Sequence, residues 1–189
     1  MTKAGDLDRL FATIREKHGR IDVRFANAGA GKLAPLAGTS EELFDEMLDT
    51  NFRGNYFTVQ KALPLLTEGG AIVFTTSWFD QVGVAGTSAA SPSKAALPSL
   101  PLTLATELLP RGIRVNAVSP GVIATPLFGK LGLPQKTVDE LGKALQAQLP
   151  VKRFGTPEEV AKVVTVIASS DASDITGIEL AVDSGRTQR

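Results

Sequence analysis

Four short apolar runs, each ending in glycine or small polar residues, constrain this chain more than any other feature. The runs 21–25, 71–74, 113–118 and 178–182 end in Asn27-Ala28-Gly29, Thr75-Thr76-Ser77, Ser119-Pro120-Gly121 and Asp183-Ser184-Gly185. The segments between them carry apolar residues at helical spacing. Largely apolar strands separated by helices predict a parallel sheet covered on both faces, because parallel pairing needs long crossovers and helices supply them. In such sheets ligands sit beyond the carboxyl ends of the strands. The four small-residue ends therefore mark the expected site.

Helix boundaries follow from local chemistry. Asp6 is expected to cap a first helix carrying Leu7, Leu10, Phe11 and Ile14 on one face, with Gly19 as its stop. Thr39 and Glu42 read as a capping box opening a long helix to about residue 63, and Gly69-Gly70 as the break before the second strand. A third helical region is expected over 88–109, closed by Pro110 and Gly112. Residues 129–149 read as a mobile loop and an amphipathic helix of the sort that covers a site. Thr156, Pro157 and Glu159 supply the cap, first-turn proline and capping-box acid of a last helix.

Composition narrows the function classes. Lys plus Arg and Asp plus Glu both total 20, so no net charge draws the chain to nucleic acid or an acidic membrane. There is no cysteine, which removes disulfides, thiolate metal sites and a cysteine nucleophile together. His18 is the single histidine and cannot anchor a multi-histidine metal site. Met1 leads straight into the charged stretch 2–8, unlike a secretory leader, and apolar runs such as 163–168 are too short to span a bilayer. The expectation is a soluble, cytoplasmic, metal-free chain whose residues 1–189 form one domain.

Several motifs, in order and at consistent spacing, carry a family resemblance. They are Asn27-Ala28-Gly29, Asn51 in Asn51-Phe52-Arg53-Gly54, Ser77 after the second strand, and Lys94. Downstream come Arg114-Val115-Asn116-Ala117-Val118-Ser119-Pro120-Gly121 with Thr125, then Gly177 and Asp183-Ser184-Gly185. From about Asp6 onward the chain resembles the classical short-chain dehydrogenases/reductases. The resemblance implies an α/β fold, a partial Rossmann-like doubly wound parallel sheet of about four strands. It also implies NAD or NADP as cofactor, with hydride transfer between a small carbonyl and an alcohol, and assembly into homo- or hetero-oligomers with related subunits. By the same resemblance the catalytic positions are Asn51, Ser77 and Lys94. Asn27, Ala28, Gly29, Lys94, Pro120, Gly121 and Thr125 would line the cofactor. In that chemistry lysine holds the nicotinamide ribose and lowers the pKa of a tyrosine acid, while serine polarises the substrate carbonyl.

The sequence departs from the family in three places. The family's tyrosine stands four residues before the lysine, where this chain has Ala90, and a methyl group transfers no proton. Neither Tyr56, Ser91 nor Asp80 reads as its replacement; Tyr56 is expected to be a packed aromatic and Asp80 an exposed turn residue. No glycine-rich pyrophosphate turn is present; Gly29-Ala30-Gly31-Lys32 is only a decoy for a phosphate loop. The expectation is an N-terminally truncated member lacking the βαβαβ cofactor-binding half, with the strand over 21–25 at a sheet edge. Finally, Pro98 and Pro101 fall inside the helix that carries Lys94 and should kink or break it, leaving the carbonyls of Lys94 and Leu97 without their usual partners. Pro92 is tolerable if Ser91 caps that helix. Pro98-Ser99-Leu100-Pro101 also has the form of a PxxP ligand, but lacks flanking basic residues. Together these departures predict an oxidoreductase impaired or inactive as it stands, the alternative being a non-catalytic subunit or a decayed fragment.

Overall fold

The computed structural model describes residues 3–188; Met1 and Thr2, at the start of the charged N-terminal stretch, lie outside them. Its frame is a four-stranded, fully parallel sheet in the order β1 (Ile21–Ala26), β2 (Leu66–Thr75), β3 (Arg114–Pro120), β4 (Glu179–Val182). Phe74 is the register point, with Ala26 opposite it on β1 and Ala117 on β3, and Ala117 in turn opposite Glu179. In strands, alternate residues face opposite sides. On one side Ile72, Phe74, Val115 and Ala117 join Phe11, Val59, Leu97, Leu100 and Leu108 in the main core. On the other, Val73 and Val118 pack against Val164 and Ile167. Helices therefore cover both faces, and β2 from Gly70 to Phe74 and β3 from Val115 to Ser119 are buried.

The crossovers are α1 (Ala4–His18), α2 (Glu41–Leu48), α3 (Gly54–Ala62), α4 (Ala90–Ala95), α5 (Ser99–Leu108), α6 (Gln135–Gln148) and α7 (Pro157–Ala168). Helix α1 ends as expected: Gly19 adopts a left-handed φ of 75° and returns its N–H to Ile14 and Arg15. Its start differs. The helix begins at Ala4, so Asp6 sits in the first turn, where its charge favours the positive helix end without capping it. The second cap moves by one residue. Ser40, not Thr39, accepts from the Leu43 N–H, while the Thr39 hydroxyl donates to the Pro35 carbonyl. The Thr156–Glu159 capping box forms in both directions, with Pro157 in the first turn.

Two long helices are interrupted. Between α2 and α3 the chain widens into a π-type turn, Asp49–Arg53, in place of a continuous helix to residue 63. The region 88–109 splits into α4 and α5 around Pro98, which becomes the residue before α5 rather than an interior residue. Pro101 then falls in the first turn of α5, where no donor is required. The Lys94 and Leu97 carbonyls are not orphaned. They accept from Leu97 N and Leu100 N at 3.0 Å each, in tighter turns. Ser91 caps nothing: α4 already starts at Ala90, and the Ser91 hydroxyl donates to the Phe79 carbonyl at 2.7 Å. Gly69-Gly70 does not precede the second strand but lies within it, Gly69 at a φ of 73°.

Beyond β3, Asn116 draws β4 into place. Its buried amide donates to the Ile175 carbonyl and accepts from the Ile178 N–H. Arg114 meanwhile donates to the Ile167, Ser169 and Ile175 carbonyls, satisfying the end of α7. Among the described residues no helix is long and apolar enough to cross a membrane.

Candidate active site

The π-type turn positions the first candidate. Asn51 is fully buried there, and its amide reaches back to the turn after β1. Oδ1 accepts from Ala30 N at 2.8 Å, while Nδ2 donates to the Ala30 carbonyl at 3.0 Å and to Ser93 Oγ at 2.9 Å. Asn55, one turn later, donates to the Ala28 carbonyl at 2.9 Å and to the Asn51 carbonyl at 2.7 Å. Single-turn widenings of this kind recur at functional sites. The two asparagines hold the turn at Ala28 and Ala30 against the helix, and Thr75 completes the grip by donating to Asn27 Oδ1 at 2.9 Å.

Lys94 enters from α4. Its Nζ donates to the Thr75 carbonyl at 3.1 Å, and no carboxylate among the described residues pairs with it. Burial of an unpaired ammonium disfavours its charge, and the Lys94 pKa is pushed down from 10.5 to about 8. Gly29 faces both candidates: a Cβ there would stand 3.1 Å from Lys94 Nζ and 3.2 Å from Asn51 Oδ1. Asn51, Gly29 and Lys94 are thus brought together.

Ser77 sits in the same strand-end turn. It precedes the short turn Trp78–Asp80 and accepts from Phe79 N at 3.4 Å. Helix α4 grips this turn on both sides of Ser77, through Lys94 to Thr75 and Ser91 to Phe79. Ala90 is buried against Met47 and Ala89, one helical turn before Lys94, and its carbonyl accepts from Ser93 Oγ at 2.6 Å. Tyr56 is not a packed aromatic. It is 38% exposed on α3, edge-on to Phe57.

Pro120 and Gly121 end β3 beside β4. Gly121 is required by close approach, since a Cβ there would fall 2.7 Å from the Asp183 α-carbon. Asp183 is held below the usual carboxylate range: burial pushes it up, and bonds from Thr187 and the Gly185 N–H more than offset that. Thr125 lies farther along, lining an open groove with Val138, Gly142 and Phe154 under α6, the helix expected to cover the site.

Asp80 corrects its sequence reading as an exposed turn residue. It is partly buried, its Oδ1 has no hydrogen-bond partner, and desolvation together with the charge of Glu179 raises its pKa to about 6. Sequence reasoning also missed Ser93, fully buried between Asn51 and Ala90, and Thr75, whose carbonyl holds Lys94. The Asn51–Asn55 spacing of four was a readable signal, because it places both amides on one helix face.

Known proteins resemble the chain along nearly its whole length. A family model described as enoyl-(acyl carrier protein) reductase matches residues 1–187. The oxidoreductase asL5 of Sarocladium schorii is 39% identical over 191 residues, covering 100% of this chain and 74% of that protein. The 3-oxoacyl-[acyl-carrier-protein] reductase FabG of Thermotoga maritima is 35% identical, covering 98% and 74%. A Brucella melitensis short-chain dehydrogenase/reductase has a TM-score of 0.89 and 30% identity, covering 98% of this chain and 73% of that one. The angucycline C-6 ketoreductase LanV with bound NADP also has a TM-score of 0.89, at 28% identity, covering 100% and 74%.

Proposed function

Since the chain belongs to the short-chain dehydrogenase/reductase family, we propose that it carries the nicotinamide end of an NAD- or NADP-dependent site for carbonyl–alcohol interconversion. The observation that carries this reading is the convergence of Asn51 and Lys94 on Gly29. A cradle with no side chain, flanked by an ammonium that among the described residues donates to the Thr75 carbonyl alone, fits the hydroxyl groups of a ribose. LanV, solved with bound NADP, supports the cofactor class, and its being a ketoreductase supports a carbonyl substrate.

In this reading Lys94 holds the ribose, and Asn27, Ala28 and Gly29 form the floor beneath it. Pro120, Gly121 and Thr125 flank the nicotinamide, which when bound supplies or accepts the hydride. Ser77 donates to the substrate oxygen and polarises the carbonyl. Asn51 is a positioning residue, because its amide is consumed in fixing Ala30 and Ser93. Ala90 leaves the proton transfer unserved by a phenol. Loss of a general acid costs about two to four orders of magnitude in rate, so turnover is slow in the chain as it stands. Assembly with related subunits would involve α5, whose Leu102 is 62% exposed.

Titration with NADPH and NADH, followed by the fluorescence of Trp78 beside Ser77, tests the reading. Saturable quenching is expected, and Ala90→Tyr should raise the turnover of a small ketone at least tenfold. Absence of saturable binding by either nucleotide overturns the proposal. So does binding without any gain from the tyrosine in a variant whose circular dichroism is unchanged.

A further inference from the structure

The guanidinium of Arg186 lies 4.2 Å over the Trp78 ring. Trp78 follows β2 and Arg186 follows β4, with β3 between those strands. The stack therefore links the two turns that flank the end of β3, where Pro120 and Gly121 lie, and its aromatic half adjoins Ser77 in the chain. The indole is buried with Val122 and Leu149, and Phe154, which also lines the groove under α6, packs against them. The donors of this guanidinium are almost unspent. Of its five N–H groups, one makes a long bond, from Nη2 to Gln148 Oε1 at 3.4 Å. Nε is buried without a partner. No carboxylate among the described residues lies within ion-pair distance of it. The acids nearest to the pair in sequence are engaged elsewhere: Asp183 accepts from Gly185 N and from Thr187, and Asp80 feels the charge of Glu179.

We propose that Arg186 determines substrate class: it receives the carboxylate of a small oxo acid whose carbonyl reaches Ser77. This rests on the carbonyl–alcohol reading above and names the kind of carbonyl compound the site takes. Stacking on an indole fixes the plane of a guanidinium while leaving its edge free for hydrogen bonds. Among the described residues Nη1 makes no hydrogen bond and is not closed off from solvent, so that edge is open. A half-buried fork with unspent donors is completed by a planar anion, which accepts two N–H groups at once. An uncharged ketone leaves the fork unsatisfied. One guanidinium supplies one positive charge, which matches a carboxylate, whereas a phosphate dianion stays half-neutralised. Trp78 joins the two contacts, since it holds Arg186 by stacking and Ser77 by the peptide bond between them.

The test titrates the whole isotope-labelled chain, without nucleotide, with acetoacetate and levulinate and with their methyl esters. Binding is followed at the indole N–H resonance of Trp78, the chain's single tryptophan. The acids should bind about tenfold more tightly than the esters, the usual scale for a charge-assisted pair. Arg186→Gln should abolish that preference while leaving the ester affinities nearly unchanged. Arg186→Lys keeps the charge without the flat fork and should retain only part of it. Acetate and inorganic phosphate, which lack the carbonyl, should bind more weakly than either oxo acid. The proposal is overturned if acid and ester bind alike, or neither binds, in the parent chain, a comparison that needs no variant. It is equally overturned if the preference survives in Arg186→Gln, or if acetate or phosphate binds as tightly as the oxo acids. The two readings fail separately. An acid preference without nucleotide binding overturns the cofactor reading alone, and nucleotide binding with acid and ester alike overturns this inference alone.

Discussion

Asn51 Oδ1 and Lys94 Nζ both close on the same face of Gly29, each just over 3 Å from the point where a Cβ would project. The gap suits glycine because Asn51 is fixed by three hydrogen bonds and cannot retreat. Gly29→Val therefore forces Lys94 off the Thr75 carbonyl or strains the turn. Overpacking of this kind costs about 1–3 kcal/mol. Urea unfolding should show that loss, with Gly29→Ala losing clearly less; equal midpoints for all three proteins would contradict the geometry.

Asn51→Ala removes partners from Ala30 N, the Ala30 carbonyl and Ser93 in a fully buried setting. Unsatisfied buried groups cost about 1–3 kcal/mol each when water cannot replace the partner. A destabilisation of roughly 2–4 kcal/mol is expected. Hydrogen exchange should become faster at Ala30 N in particular, before the sheet amides respond.

Lys94 works against folding at neutral pH. Its folded pKa of about 8 lies below the ordinary 10.5, so the unfolded chain binds the extra proton between those values. Stability therefore rises as pH increases from about 8 to 10.5, and the penalty is fully present below 8. Its size is on the order of 3 kcal/mol. Lys94→Met should accordingly be more stable than the parent at pH 7, by about 1–2 kcal/mol once the lost Thr75 bond is allowed for. Thermal melts at pH 7 and pH 10 check this: the advantage should shrink at the higher pH.

Asp80 shows the same logic for an acid. Its folded pKa, raised to about 6 by desolvation and by Glu179, exceeds the ordinary 3.8. The folded state holds the proton more tightly, so stability falls as pH rises through that window and the penalty is complete above about 6. Asp80→Asn should raise Tm at pH 7.5 and leave it nearly unchanged at pH 3.5. A constant difference across that range would show that the buried oxygen has found a partner.

The two interrupted helices show where local reading stops. Pro98 and Pro101 predicted a break after Lys94, and the break occurs, but its cost depends on register. Pro98 precedes α5 and Pro101 falls in its first turn, so the expected orphan carbonyls find partners one residue nearer. The π-type turn at Asp49–Arg53 had no signal of its own in the sequence. It exists because Asn51 and Asn55 both reach the turn after β1, and that is a tertiary bond, 21 to 27 residues away along the chain.

What the sequence determined by itself was the periodic part: the apolar strands, the helices between them, the glycine at the end of α1 and the capping box of α7. These follow from spacing and from contacts within a few residues, which a linear reading contains. The order of motifs likewise pointed to Asn51, Ser77 and Lys94 without any coordinates. Only the tertiary structure decided how Asn51 and Lys94 stand to one another and how far Lys94 is desolvated. The depressed pKa of Lys94, the raised pKa of Asp80 and the tight passage at Gly29 all arise from burial beside groups distant in sequence. Desolvation is a property of the surroundings, and the surroundings exist only once the chain has folded.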